Sequence, residues 1–269
     1  MLKNTFIKIS YFCISVIGIY SFVLYFIQES FYVFPDKYYI SPLDINMPQM
    51  EEKIFINKNN IPITNWYHKG NPDKPAILFF HGNKGQIARF SKQMIPYINN
   101  GYTVMMSEYQ GFGNTLGTFT QENIYSDAVE AFDFLYNNLG HKKIYVFGYS
   151  MGTAPASYLA FYKTDTQGLI LAAPFYSLKK IAGEKYIPLA RQLIKYELPS
   201  YKFIQKYNRP LLILHGEDDT LIPYKHGIDL YNINISKNKS IRIIPNTDHA
   251  ELFFNDKISA SIIDWIENN

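Results

Sequence analysis

A serine hydroxyl becomes a useful nucleophile at neutral pH only when a base within hydrogen-bond reach takes its proton and a third group orients that base. This chain carries residue types for such a relay in three separate segments. The first is Gly148-Tyr149-Ser150-Met151-Gly152, a G-x-S-x-G match that follows the apolar run Ile144-Tyr145-Val146-Phe147 and opens a helix-like stretch. Strand, tight turn and helix are the context that makes the match a nucleophile elbow, with glycines on either side of Ser150 because the turn leaves no room for side chains. An ordinary glycine-flanked loop serine would look the same over five residues. The second segment, His215-Gly216-Glu217-Asp218-Asp219, follows the strand-like run Leu211 to Leu214 and offers two adjacent carboxylates as the orienting group. The third, Asn246-Thr247-Asp248-His249, is a polar loop after the strand-like Ile241 to Ile244, with His249 as the base. A surface loop histidine is the competing reading of His249.

Acyl transfer also needs donors aimed at the developing oxyanion. His81-Gly82-Asn83-Lys84-Gly85 follows the apolar run Ala76 to Phe80, and its glycines let backbone amides turn toward a ligand. The Asn83 amide is the expected first donor, and the Met151 amide, just after the serine, the second. His81 lies upstream of Ser150 at a strand end and reads as a structural residue hydrogen-bonded inside the loop.

The elements that must hold these groups are legible as alternation. Apolar runs of strand length at 76–80, 103–106, 144–147, 169–173, 211–214 and 241–244 are separated by helical stretches, which predicts an α/β fold with a mostly parallel sheet covered on both faces. Ile124, Ala128, Phe132 and Leu135, widened by Tyr125, Val129 and Tyr136, form the core-facing stripe of one such helix. At 269 residues the chain could hold one large or two small domains, and an α/β sandwich fills this length as one. No internal repeat, low-complexity tract or phosphate-binding glycine loop interrupts the pattern.

Taken together, Phe79-Phe80-His81-Gly82-Asn83, Glu108-Tyr109-Gln110-Gly111-Phe112-Gly113, Gly148 to Gly152 and His215 to Pro223 resemble the α/β-hydrolase superfamily, in a membrane-anchored serine-hydrolase branch, over nearly all of 51–269. The resemblance implies the α/β-hydrolase fold with a catalytic set in the chain order Ser150, Asp219, His249. The pattern His-Gly-x-x-Asp-x-x-Ile-Pro, ending at Ile222-Pro223, favours Asp219 over its neighbour Asp218. Relatives in the wider branch include protein depalmitoylases and lipid hydrolases, which implies acyl or lipid-like substrates. One departure stands out: the usual Asp-Tyr-Arg-Gly is here Glu108-Tyr109-Gln110-Gly111, so whatever the arginine does must be done otherwise.

Composition excludes several classes. With 26 Lys+Arg against 23 Asp+Glu the formal net charge is only +3, too little and too scattered for nucleic-acid binding. Cys13 is the only cysteine, so no disulfide framework or Cys-rich metal site exists within one chain. The six histidines are dispersed without metal-ligand spacing, and the chemistry expected needs no metal and no cofactor. Nothing in the sequence bears on oligomeric state.

From Ile9 to Ile27 the chain has no charge and is dominated by Ile, Phe, Tyr and Val, enough to cross the hydrocarbon core of a bilayer as a helix. Lys3 and Lys8 precede the run whereas Glu29 and Asp36 follow it, which predicts a cytoplasmic N-terminus and a hydrolase domain on the non-cytoplasmic side. A cleaved signal peptide is the alternative, although no A-x-A type cleavage pattern is present. Cys13, preceded by Ser10-Tyr11-Phe12, lacks the small residues that lipoprotein processing needs and reads as apolar filler. The expected organisation is an anchor over 1–28, a linker over 29–50 and a hydrolase domain over 51–269.

Within that domain, 175–209 is longer than an ordinary connection and rich in Tyr, Ile and Leu, with Lys179, Lys180, Lys185, Lys195, Lys202 and Lys206 interspersed. In the superfamily an insertion there resembles a short cap over the nucleophile, suited to an acyl chain presented from a membrane. A helix pair packed on the sheet edge with a solvated lysine face fits the same residues. The expected function is a serine hydrolase cleaving an ester, thioester or amide through an acyl-enzyme. A non-catalytic, membrane-tethered binding module on the same fold is the alternative.

Overall fold

The computed structural model describes residues 2–36, 38–185 and 190–269. Its centre is an eight-stranded sheet: β1 (Glu51–Ile56), β2 (Pro62–His68), β3 (Ala76–Phe80), β4 (Thr103–Ser107), β5 (Ile144–Tyr149), β6 (Thr166–Ala172), β7 (Leu211–Gly216) and β8 (Lys239–Ile244). The spatial order is β8-β7-β6-β5-β3-β4-β2-β1, with β1/β2 and β2/β4 antiparallel and the other pairs parallel. The α/β expectation holds, and all six strand-like runs are parallel strands.

Strands β3, β4, β5 and β7 are buried at every position because both faces are covered. Leu78, Val146, Leu171 and Ile213 point into one core with Ala128 and Phe132 of α2 (Gln121–Asp133) and Leu159 of α3 (Thr153–Tyr162). Their neighbours Ile77, Tyr145, Ile170 and Leu212 point into the other, against Phe90, Tyr97 and, near the C-terminus, Ile262 and Trp265. Each fully buried aliphatic side chain contributes roughly 1.5–3 kcal/mol. A charge at any of these positions would therefore disrupt the layers that hold the carboxyl ends of the parallel strands.

The antiparallel pair β1 and β2 has no counterpart among the expected runs. Its residues explain why: Glu51, Glu52 and Lys53 give β1 a polar start, and the buried Asn65 interrupts β2. Asn65 is accommodated because its Nδ2 donates to the Ile63 and Lys53 carbonyls. The turn between the strands is closed by Asn57, whose Oδ1 accepts from the Asn59 and Ile61 amides.

Helix α1 (Leu2–Ile27) stands off the body with its apolar side chains exposed, among them Phe12, Ile17 and Phe22. It is long and apolar enough to cross a membrane. Residues 29–36 and 38–50, within the expected linker, pack along the body between it and β1 as a strap. Phe34 and Pro35 pair in parallel with Lys84 and Gly85, and Met47 and Met50 are buried in the main body. Apolar side chains at 47 and 50 give this stretch a reason to pack that its position alone did not suggest.

Of the expected cap over 175–209, residues 186–189 lie outside the described residues. The rest comprises α4 (Leu178–Lys185) and short helices at Ala190–Leu193 and Ser200–Ile204. The last part is body rather than cap, since Phe203 packs against Tyr158 and Phe161 of α3. Several lysines of the stretch are tied to neighbouring elements: Lys180 pairs with Asp229, Lys195 with Glu29 and Lys202 with Glu197.

Candidate active site

The elbow is built by backbone geometry before any side chain acts. Ser150 has φ 52°, a left-handed conformation that a non-glycine residue holds only when its surroundings impose it, at a cost of order 1–3 kcal/mol. The imposing contacts are visible. A Cβ on Gly152 would overlap the carbonyl oxygens of Phe80 and His81, and one on Gly148 would lie 2.5 Å from the Gly152 carbonyl oxygen. The glycines therefore let α3 press against the end of β3, and Thr153 Oγ1 fastens the turn by donating to the Ser150 carbonyl at 2.6 Å.

Ser150 is only 5% exposed, and its Oγ lies 2.9 Å from His249 Nε2. His249 Nδ1 in turn lies 2.7 Å from Asp219 Oδ2. A carboxylate can only accept, so Nδ1 carries the proton and Nε2 is left to accept from the serine hydroxyl. Segments 99 and 30 residues apart in sequence are thus joined in one line of hydrogen bonds.

Asp219 rather than Asp218 is the carboxylate at this position. Asp218 is exposed on the same turn, whereas Asp219 is buried, with its Oδ1 accepting from the Leu221 and Ile222 amides. Burial alone would raise its pKa, but hydrogen bonds from His215 and His249, the electrostatic pull of the His249 ring and the Ile222 amide outweigh it. Together they hold the carboxyl well below the usual carboxylate range. His215 is fully buried, with Nε2 3.3 Å from Asp219 Oδ2 and 2.7 Å from the Ile222 carbonyl.

His249 opens helix α5 (His249–Phe254), and its loop position is set by a capping box. Asp248 Oδ1 accepts from the Glu251 amide at 2.8 Å, and the Asp248 amide donates back to Glu251 Oε2 at 3.0 Å. The polar loop expected from sequence is thus a helix N-terminus, and the D-x-x-E spacing of Asp248 and Glu251 was the signal. Tyr149 adds a second restraint by donating its hydroxyl to the His249 carbonyl at 2.9 Å while its ring stacks on Phe253. Its role was not readable from the pentapeptide, where it is the variable position.

On the β3 side, Asn83 is half-buried and its Nδ2 donates to the Tyr32 carbonyl at 2.8 Å. Its side chain is therefore committed, and among the described residues no hydrogen bond engages its backbone amide. Met151 is buried in the turn that begins α3, directly after Ser150. His81 sits inside the loop as expected, 1% exposed, with Nδ1 2.7 Å from the Gly82 carbonyl and Nε2 2.6 Å from Glu108 Oε1. Both ring nitrogens face oxygens, so a proton must lie between Nε2 and Glu108. Glu108 also accepts from the Ile87 amide at 3.0 Å, which binds the loop to the end of β4.

Gln110, in place of the usual arginine, donates to the buried Asp127 at 2.7 Å, and Asn57 donates to the other oxygen at 2.8 Å. Burial raises the Asp127 pKa, and these two neutral donors offset it only in part.

The fold is shared with known proteins. The family described as serine aminopeptidase, S33, matches residues 71–208. The chain belongs to that family. It is an α/β-hydrolase, and the match covers the elbow and the His81 loop while ending before Asp219 and His249. Among curated relatives, lysophosphatidylserine lipase ABHD12 of Danio rerio is 28% identical over 191 residues, 62% of this chain and 50% of that protein. The same lipase of Rattus norvegicus is 30% identical over 189 residues, 62% and 48% of the two chains. The α/β-hydrolase domain-containing protein aho-3 of Caenorhabditis elegans is 30% identical over 161 residues, 58% and 47%. This hydrolase-family chain spans about half the length of the curated relatives it matches. Among solved structures, the Pyrococcus furiosus esterase Pf2001 superposes with a TM-score of 0.72 at 17% identity, covering 88% of this chain and 99% of its own. Est1E of Butyrivibrio proteoclasticus gives 0.65 at 18%, covering 80% and 97%, and at such identities these two establish the fold alone.

Proposed function

We propose that this protein is a membrane-anchored serine hydrolase that cleaves acyl esters of lysophospholipid-like substrates through an acyl-enzyme. The observation that carries the reading is the continuous line Ser150 Oγ to His249 Nε2 at 2.9 Å and His249 Nδ1 to Asp219 Oδ2 at 2.7 Å. In this mechanism Ser150 Oγ attacks the carbonyl carbon as its proton passes to His249 Nε2. His249 then protonates the leaving alcohol as the tetrahedral intermediate collapses. Water, deprotonated by the same imidazole, releases the acid and restores Ser150. Asp219 holds the imidazole in the productive tautomer, and the Asn83 and Met151 amides carry the oxyanion, a contribution worth about 10²–10³ in rate per donor.

Substrate class rests on two supports, the lysophosphatidylserine lipases among the relatives and the apolar helix α1. An anchor raises encounter with membrane-borne acyl chains without demanding affinity from the domain. The organisation that fits is an anchor over 1–28 and a hydrolase domain over 51–269 that includes a short cap. Lys3 and Lys8 before the span, with Glu29 and Asp36 after it, favour the catalytic domain on the non-cytoplasmic side.

The test is covalent labelling followed by turnover. A fluorophosphonate probe should modify the wild type and fail on a folded Ser150→Ala. The wild type should then release fatty acid from lysophosphatidylserine in vesicles faster than from a short-chain ester of equal concentration. Equal labelling of both proteins would remove the serine hydrolase reading, and a preference for the short ester would remove the lipid one.

A further inference from the structure

The strap between α1 and the body touches both the loop after β3, which carries Asn83, and the 193–195 segment. Asn83, whose amide serves the oxyanion in the reading above, is held through its side chain by the Tyr32 carbonyl at 2.8 Å and through its own carbonyl by the Phe34 amide at 2.9 Å. Two residues on, the Gly85 carbonyl accepts from the Asp36 amide at 3.2 Å. The buried Gln86 then reaches back, donating to the Tyr38 carbonyl at 2.7 Å and accepting from the Ile40 amide at 3.0 Å. At the other end of the strap, Gln28 Nε2 donates to the Leu193 carbonyl at 3.1 Å, Gln28 Oε1 accepts from the Lys195 amide at 2.8 Å, and Glu29 pairs with Lys195 at 2.5 Å. One stretch of nine residues therefore ties the last turn of the membrane helix to the loop after β3 and to the cap segment.

We infer that residues 28–36 are positioning residues of the active site: the strap sets the orientation of the Asn83 amide and fixes the cap segment relative to it. The physical reason lies in the loop itself. Asn83 follows Gly82 and precedes Gly85, which has φ 84°, so its own sequence does little to hold one amide direction. An oxyanion donor is useful only when its direction is fixed before the reaction. A parallel two-residue ladder supplies that fixity from outside, and the ladder is continuous with the helix that would lie in the bilayer. The orientation of the site's mouth is thereby coupled to the orientation of the anchor.

The inference rests on the serine hydrolase reading, and the test separates the two. Full-length protein in detergent micelles is assayed with p-nitrophenyl butyrate and with the fluorophosphonate probe. Phe34→Pro deletes the amide that donates to the Asn83 carbonyl, Phe34→Leu keeps it, and Asn83→Ala deletes the bond to Tyr32. Phe34→Pro and Asn83→Ala should each lower kcat at least ten-fold with KM changed less than two-fold. Phe34→Leu should restore kcat to within three-fold of wild type. The double variant Phe34→Pro with Asn83→Ala should fall no further than the weaker single one, because both cut the same support. If Phe34→Pro does not fold, Asn83→Ala with its kcat-against-KM split decides. Folded variants that keep kcat within two-fold, or an equal loss in Phe34→Leu, overturn the positioning role. A wild type that neither labels nor turns over would instead overturn the hydrolase reading.

Discussion

The hydroxyl of Tyr149 donates to the His249 carbonyl at 2.9 Å, so the residue before the elbow serine holds the backbone of the histidine that contacts that serine. Burial, then the Asp219 and Asp248 charges, push the Tyr149 phenol above the ordinary tyrosine range, which keeps it a donor around neutral pH. Tyr149→Phe retains the ring stacked on Phe253 and removes only this bond. The expected outcome is a loss of about 1 kcal/mol in stability and about 3- to 10-fold in kcat, read from denaturant titration and ester hydrolysis. An unchanged kcat would mean that the capping box alone suffices to place His249.

The adjacent carboxylates should separate sharply. Asp219→Asn should reduce kcat by about 10³–10⁴, since the imidazole loses the acceptor that sets its tautomer. The exposed Asp218→Asn should stay within about two-fold, because the residue's contact with this region is its amide, which donates to the Thr247 carbonyl at 3.0 Å. Reversal of the two results would transfer the orienting role to Asp218.

Asp219 also carries a pH signature. Its folded-state pKa lies below the ordinary value, so it stabilises the fold above the unfolded pKa of about 3.9, and that contribution is lost as pH falls through the depressed folded value. The stability gap between wild type and Asp219→Asn is therefore expected to be widest above about pH 4 and to narrow below it. Urea unfolding of both proteins between pH 3 and 7 checks this, and a gap that widens on acidification would contradict it.

The His81–Glu108 pair tests how the loop after β3 is braced. Glu108→Gln can still satisfy His81 Nε2 and the Ile87 amide, so a loss of about 1 kcal/mol is expected. Glu108→Ala leaves both groups buried and unpaired and should cost about 3–5 kcal/mol. Equal losses in the two variants, measured by chemical denaturation, would show that side-chain volume matters there rather than pairing.

For the anchor, removing residues 1–26 leaves Gln28 and the strap in place and should release a soluble protein that still hydrolyses small esters. The full chain should remain in the membrane after carbonate washing, and proteinase K added to sealed vesicles of known sidedness should reach the domain only from the non-cytoplasmic face. A mature chain that begins after Ile27 would instead identify a cleaved leader.

Much of this protein was legible without coordinates. Strand runs such as Ala76 to Phe80 and Leu211 to Leu214 are continuous because parallel strands are buried on both faces, and that makes them readable by composition alone. Ser150 was equally visible, since the flanking glycines answer to a local backbone requirement expressed within five residues. The choice of Asp219 over Asp218 was open on chemistry, because neighbours in a turn differ only in which way they face, and a buried side and an exposed side exist only once β7 and the 245–249 loop are packed. The strap was not legible at all. Phe34 and Pro35 make a two-residue ladder with Lys84 and Gly85, too short to leave a period and fifty residues from its partner. Local patterns report what a residue needs from its immediate neighbours. Backbone hydrogen bonds between distant segments carry no side-chain signal, so only the tertiary structure decided which loop the anchor's end would hold.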